Sequence, residues 1–247
     1  MNLWVTGEII QVINWTKRLF SIIIKASVNK FIAGQFAKLK IKINGKNIQR
    51  AYSYVNSPKE KYLEFYIVSV DKGIFSNALK KLKVNDLIKI SKQPSGYFTL
   101  CNINPCNKLW MISTGTAIGP YLSILSHGKN LNKFKNIILI YAVRFAKDLS
   151  FLPRLIYLQK KYKNKLFIRF IISREYLYHS MSGRITNLIK NGKLEKSLKM
   201  SINKKDSHVM LCGNPNMVRE TKKILMKRGM IQNTKLKIGN ITTEQYW

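Results

Sequence analysis

The sequence predicts a two-part protein, an antiparallel β-barrel or sandwich followed by a parallel-sheet α/β domain. Short strand-like runs separated by turn residues fill the first part of the chain. After "CNINPCN", near-continuous apolar runs alternate with amphipathic stretches, which is typical of parallel strands covered by helices on both faces. The 247 residues, 46% of them hydrophobic, are enough to build two cores. We therefore predict domains at 1–100 and 101–247.

The strands of the first part are predicted by alternation and by their spacing. The candidates are "GEIIQVINW", "LFSIIIKA", "GQFAKLKIKI", "RAYSYVN", "YLEFYIVSV" and "DLIKISKQP". Alternation is clearest between Leu39 and Ile43, where apolar residues are separated by lysines. One helix is predicted at about Phe75–Leu82, because its apolar residues recur every three to four positions.

In the second part, strands and helices are predicted to alternate. The strands are "LWMIST", "NIILIYAV", "LFIRFIIS" and "HVMLCG", and the helices are "GPYLSILSHG", "LSFLPRLIYLQKKY" and "NMVRETKKILMKRG". Ligands of such sheets bind at the carboxyl ends of the strands. Two segments that follow strands are therefore candidate functional positions, "STGTAIGP" (Ser113–Pro120) and "LCGNPNM" (Leu211–Met217).

The net charge of +33, from 44 Lys plus Arg against 11 Asp plus Glu, predicts a polyanionic partner. Nucleic acid, a membrane surface and an acidic protein all fit that description. Only nine of the cations are arginine, however, and Lys, Asn and Ile are abundant along the whole chain. We favour compositional drift over a nucleic-acid function as the origin of this charge. We also keep open the interpretation that one basic face binds an acidic protein.

Other features of the sequence argue against several classes of protein. No apolar run approaches the roughly 18–20 residues of a membrane span, and the N-terminus has no signal-peptide pattern. Three cysteines cannot all pair and no CxxC occurs, which favours a reduced, cytoplasmic compartment without a zinc or iron–sulfur site. The three histidines are scattered, so we predict no metal centre.

Four motifs occur in an informative order: "RAYS", "STGTAIGP", "CGNPNM" and the final "EQYW". Together they resemble the ferredoxin/flavodoxin–NADP reductase family, in its bacterial subclass with a C-terminal aromatic tail. The resemblance covers the full length. It implies a Greek-key barrel that binds FAD and an α/β domain that binds NADP. Other members often have GTGxAP where this chain has GTAIGP, so the small residues of that turn are placed differently.

The resemblance implies a set of FAD contacts. Arg50 would pair with the diphosphate, which its planar guanidinium suits, Tyr52 would stack on the flavin and Ser53 would hydrogen-bond near N5. In the same subclass the penultimate Tyr covers the opposite flavin face and the last Trp stacks on adenine. The complete FAD set is Arg50, Ala51, Tyr52, Ser53, Tyr66, Ile67, Val68, Ser69, Ile74, Phe75, Ser76, Thr116, Tyr246 and Trp247. The alternative is plain strand and helix packing.

The NADP contacts are expected after the parallel strands. Discrimination of NADP needs cations on its 2′-phosphate, for which "AVR", "SRE" and "SGR" are candidates. The NADP set is Val143, Arg144, Ser173, Arg174, Arg184, Asn214, Pro215, Asn216 and Glu220. Cys212 is the catalytic candidate beside Ser53; the resemblance makes it a positioning group near the nicotinamide, and the alternative is a buried structural thiol.

The function implied is that of a monomeric FAD-containing NADPH:flavodoxin/ferredoxin reductase. Hydride passes from NADPH to flavin N5, and single electrons then go to an external acidic flavodoxin or ferredoxin. One alternative is another flavin reductase of this superfamily, acting on free flavin or serving an oxygenase. The other is a basic nucleic-acid-binding protein. On the favoured interpretation, neither a nucleic acid nor a membrane is a partner.

Overall fold

The computed structural model describes residues 3–246, so the predicted adenine contact Trp247 lies outside the described residues. The chain divides into two compact units. The first comprises the residues up to Leu100 together with Gly119–Gly128, and the second comprises Cys101–Ile118 and the residues from Lys129 onward. The predicted domains differ from these units by one helical segment. Gly119–Gly128 groups with the first unit, where the Ser123 hydroxyl donates to the carbonyl of Asn56 at 2.7 Å.

The first unit contains an antiparallel sheet. Its elements are β1 (Trp4–Asn14), β2 (Leu19–Lys25), β3 (Phe36–Ile43), β4 (Lys46–Ser53), β5 (Leu63–Val68), α1 (Ile74–Lys80), β6 (Leu87–Ser91) and α2 (Gly119–His127). Within residues 3–246 the strand order is β4-β3-β6-β1-β2-β5. Alternate residues of these strands, among them Ile22, Leu39 and Phe65, form one apolar core. An isolated bridge between Tyr54 and Phe65 joins the two ends of the sheet.

The second unit contains a parallel sheet. Its elements are β7 (Lys108–Thr114), β8 (Asn136–Val143), α3 (Leu152–Lys161), β9 (Leu166–Ile172), β10 (Met181–Ser182), α4 (Ile185–Lys190), α5 (Lys193–Leu198), β11 (Ser207–Gly213), α6 (Pro215–Lys227) and β12 (Ile241–Gln245). Over the described part of the chain the order is β10-β9-β8-β7-β11-β12, and each neighbouring pair is parallel. β11 is buried along its whole length, as expected of a strand covered on both faces.

The predicted fold class, an antiparallel β unit followed by a parallel α/β unit, is confirmed. The predicted helix at Phe75–Leu82 corresponds to α1, which begins one residue earlier and ends two residues earlier. The sequence patterns missed β10, α4, α5 and β12. Between residues 3 and 246, no helix is long and apolar enough to cross a membrane.

A buried histidine links β11 to β12. The Nε2 atom of His208 lies 2.8 Å from the hydroxyl of Thr242, and burial lowers the histidine's pKa to about 4. Because the folded pKa is below the unfolded value of about 6.5, the neutral ring stabilises the fold above pH 6.5. That contribution is lost as the pH falls towards 4.

We therefore expect the free energy of unfolding to decrease between pH 6.5 and 4, with His208 contributing up to roughly 3 kcal/mol. His208→Gln keeps a polar group for Thr242 but has no proton to gain, so its unfolding free energy should fall less over this range. Urea unfolding at a series of pH values measures the difference. The control is His179→Gln, since His179 is exposed. Equal pH slopes for wild type and His208→Gln would contradict the assignment.

Candidate active site

The sheet of the first unit is only partly closed between its two terminal strands, β4 and β5. Among the described residues these strands are bridged at Tyr54 and Phe65. Arg50 on β4 pairs with the fully buried Leu39, so it lies on the inward face of the sheet, and yet it is exposed. The side chain of Arg50 therefore reaches solvent from the core side of the sheet.

Aromatic rings lie close to Arg50, on the same face of the sheet. Tyr52 lies two residues from Arg50 and therefore on the same face, and its ring stacks against that of Phe75 with centroids 6.1 Å apart and planes at 22°. Burial raises the pKa of Tyr52 to about 12, although the charge of Arg50 opposes the shift, so the phenol stays neutral. A flat aromatic surface beside an exposed guanidinium fits a ligand that has a planar ring and a diphosphate.

The segment between β5 and α1 is held together by its own side chains. The hydroxyl of Ser69 donates to Asn77 Oδ1 at 2.5 Å, and the hydroxyl of Ser76 accepts from the backbone N–H of Val70 at 3.3 Å. A Cβ at Gly73 would overlap Val70 and Ser76, so this turn requires glycine. The two predicted serine contacts therefore shape the loop, and their hydroxyls are already engaged within it.

The remaining predicted FAD residues of the first unit differ in which of their atoms a ligand can reach. Ile67 belongs to the barrel core, so it can present only backbone atoms to a ligand, while Tyr66 and Val68 lie on the other face of β5. Ala51 is exposed and Ser53 is buried on β4. Ile74, at the start of α1, is 64% exposed.

In the second unit, three arginines follow three neighbouring strands. Arg144, Arg174 and Arg184 come directly or within two residues after β8, β9 and β10, and all three are exposed. The backbone N–H of Arg174 donates to the carbonyl of Arg144 at 3.0 Å, and that of Ser173 donates to Val143 at 3.1 Å. Parallel strands bring these residues to one edge of the sheet, where their guanidinium groups suit a phosphate dianion.

The end of β11 begins the next helix, α6. Asn214 caps α6, because its side-chain oxygen accepts from the backbone N–H groups of Asn216 at 2.9 Å and Met217 at 3.3 Å. Its own N–H donates to the Thr114 hydroxyl at the end of β7 at 2.9 Å. Pro215 is the first helical residue. The start of this 13-residue helix provides a positive dipole end beside the strand ends.

Two further predicted residues lie on these elements. Thr116 is buried in the 3₁₀ turn Gly115–Ile118, which follows β7. Glu220 is exposed on α6.

Cys212 lies at the same edge and is fully buried. Its Sγ lies 3.9 Å from Oε1 of Glu244, the residue that pairs with it on β12, and the backbone N–H of Tyr246 donates to Gly213 at 3.0 Å. Burial, followed by the charge of Glu244, raises the pKa of the thiol well above its usual value, although a hydrogen bond from the Tyr246 side chain opposes this. The thiol therefore stays protonated, which does not suit a nucleophile.

The sequence reasoning missed three residues at this edge. Glu244 was missed because the pattern "ITTEQ" was not recognised as a strand, and only the pairing of β12 with β11 brings it to Cys212. Tyr176 and Tyr178 follow Arg174 and are 77% and 72% exposed. Exposed tyrosines close to an arginine are a signal for recognition of an aromatic ligand, and that signal is present in the sequence.

The environment of Cys212 can be tested in a Cys101→Ser/Cys106→Ser background, which leaves Cys212 as the sole thiol. We expect no thiolate absorbance near pH 8.5, where a free cysteine titrates. Adding Glu244→Gln removes the neighbouring charge and should lower the pH at which the thiolate forms. Ultraviolet absorbance titration measures both variants. A thiolate at neutral pH in the parent would contradict the structural assignment.

Comparisons with known proteins agree with this geometry. Residues 8–100 match the family model of the oxidoreductase FAD-binding domain, and residues 111–223 match that of the oxidoreductase NAD-binding domain. The flavodoxin/ferredoxin–NADP reductase of Escherichia coli K12 is 49% identical over 245 residues, which is 99% of each chain. The corresponding protein of Buchnera aphidicola subsp. Schizaphis graminum is 48% identical over the full length of both chains.

A solved structure shows the same relationship. The ferredoxin NADP⁺ reductase of Neisseria gonorrhoeae, determined with bound FAD and NADP, superposes with a TM-score of 0.93 at 29% identity over 99% of each chain. The matched domains are the FAD-binding and NAD-binding domains of oxidoreductases. The chain belongs to the flavodoxin/ferredoxin–NADP reductase family and is an FAD-dependent, NADP-using oxidoreductase.

Proposed function

We propose that the protein reduces an acidic flavodoxin or ferredoxin with electrons from NADPH, as a monomer in the cytoplasm. The observation that carries the choice of NADPH is the row of Arg144, Arg174 and Arg184 at three adjacent strand ends. Only nine arginines occur in the chain against 35 lysines, so a chance clustering of three is a poor explanation. The acidic carrier is supported by the net charge of +33 and by the names of the relatives.

The first unit holds FAD on this proposal. Arg50 pairs with the diphosphate, Tyr52 stacks on the ring system, and Ser53 hydrogen-bonds beside it. The open edge of β4 supports these roles, because an edge strand leaves backbone groups available to a ligand. Bound FAD supplies the chemistry of accepting a hydride and releasing electrons singly.

The second unit holds NADPH. Arg174 and Arg184 bind the 2′-phosphate, and Tyr176 and Tyr178 offer rings for the adenine. The remaining predicted NADP contacts are Val143 and Ser173 at or just after the ends of β8 and β9, Asn214, Pro215 and Asn216 at the start of α6, and Glu220 further along α6. The protonated thiol of Cys212 positions the nicotinamide rather than attacking it. Thr116 and Tyr246 remain proposed contacts of FAD.

The carrier proposal predicts a salt-sensitive reaction. Encounter between a cationic enzyme and an acidic carrier is accelerated by charge and is screened above about 0.1 M salt. NADPH-driven reduction of a flavodoxin should therefore slow about tenfold or more between roughly 0.05 and 0.5 M NaCl. Ferricyanide, a small acceptor, should respond much less. Stopped-flow absorbance of the carrier measures the rates.

The outcomes separate the alternatives. Equal salt responses for both acceptors would contradict a basic docking face. Rapid reduction of free flavin with no reduction of either carrier would instead indicate a flavin reductase. Purified protein that binds RNA tightly but carries no flavin absorbance would overturn the proposal.

The arginines should determine the coenzyme preference. Arg174→Ala or Arg184→Ala removes a charge-assisted contact, typically about 1.5–3 kcal/mol, so KM for NADPH should rise about tenfold or more. NADH lacks the 2′-phosphate, and its kinetics should hardly change. Lys160→Ala, which removes an exposed cation of α3, is the control. If both coenzymes lost activity equally, these arginines would have a structural role.

A further inference from the structure

A cavity lies in the second unit, at the edge of the sheet opposite Arg144, Arg174 and Arg184. Its volume is about 400 Å³, within the range of small-molecule sites. It is lined by residues just before or at the amino-terminal ends of β7, β11 and β12, including Cys106, His208 and Asn240. The length of β7 separates the two edges by roughly 20 Å. The cavity is therefore distinct from the edge of the sheet that carries Arg144, Arg174 and Arg184.

Two lysines dominate the charge of this cavity. Lys204 and Lys205 line it and are both exposed. The next residue, Asp206, is already in an ion pair with Lys108 at 2.8 Å. The ammonium group of Lys204 lies beside Gly229 of the lining, since a Cβ built at Gly229 would be 4.0 Å from Lys204 Nζ.

The inner lining is uncharged at neutral pH. Burial lowers the pKa of His208 to about 4 and raises that of Cys106 to about 11, so neither group carries a charge. Ile231 and Ile238 add apolar surface. A ligand that fits has an anionic group for the lysines and an uncharged body for the interior.

We propose that this cavity binds a phosphorylated small molecule, with its phosphate held by the two lysines of the lining, Lys204 and Lys205. A phosphomonoester carries about 1.5–2 negative charges at pH 7, which matches the two positive charges of the lining better than a single carboxylate does. Lysine serves such a site as a point charge. This proposal does not depend on the identity of the electron carrier.

The three cysteines make a direct test possible. Cys106 lines the cavity, Cys101 is exposed outside it, and Cys212 is buried. The probe is phenyl phosphate, and the readout is the rate of Cys106 alkylation by iodoacetamide at about pH 9, followed by mass spectrometry. At ten times its dissociation constant, phenyl phosphate should slow Cys106 labelling by roughly tenfold and leave Cys101 unchanged. Phenol, which lacks the phosphate, should have little effect.

Matched variants assign the effect to the lysines. Lys204→Ala/Lys205→Ala should abolish protection, whereas Lys160→Ala/Lys161→Ala, an exposed lysine pair on α3, should retain it. Protection must also persist in Arg174→Ala/Arg184→Ala, which impairs phosphate binding at the coenzyme edge. Absence of protection at about 10 mM phenyl phosphate, or equal protection in the Lys204/Lys205 variant, would overturn the proposal. Calorimetric titration of wild type with phenyl phosphate checks the result if the lysine variant labels abnormally.

Discussion

The edge of the second sheet that carries Arg144, Arg174 and Arg184 depends on the parallel alignment of its strands. Since all neighbouring strands run the same way within the described residues, the residues that follow them meet at one edge. Arg144 and Arg174 are joined there by a backbone hydrogen bond, and Cys212 meets Glu244 because β11 pairs with β12. These residues are far apart in sequence. A change of register or direction would separate them without altering any one of them.

A different constraint produces the surface around Arg50 and Tyr52 in the first unit. A closed antiparallel barrel would bury the inward face of β4 completely. Here β4 and β5 are the two ends of the sheet, and in the described part of the chain they are joined by an isolated bridge between Tyr54 and Phe65. Beyond that bridge, Arg50 reaches solvent from the core side and Tyr52 is only partly covered. The incomplete closure costs apolar burial and leaves an edge strand. In return, the fold gains an inward surface that carries both charge and aromatic rings.

The sequence patterns predicted the elements whose burial is uniform and missed those decided by pairing. β8 and β11 are buried along almost their whole length, so their apolar runs identify them. β10 has two residues and β12 reads "ITTEQ", so neither has a pattern that distinguishes it from a loop. The motifs placed Arg50 and Cys212 correctly on strands. They did not reveal that Asn214 caps a helix, or that Glu244 faces Cys212, because both depend on three-dimensional contacts.

Arginine and lysine both contribute to the net charge of +33, but they bind anions in different ways. A lysine ammonium acts as a point charge, and a long-range field from many dispersed lysines does not require exact positions. An arginine guanidinium donates two parallel N–H···O bonds to one phosphate, so its position relative to the phosphate must be accurate. Compositional drift towards lysine can therefore raise the net charge at little cost to the fold. Drift alone does not explain three arginines at the ends of three adjacent strands, where their placement rather than the net charge decides which groups they can contact.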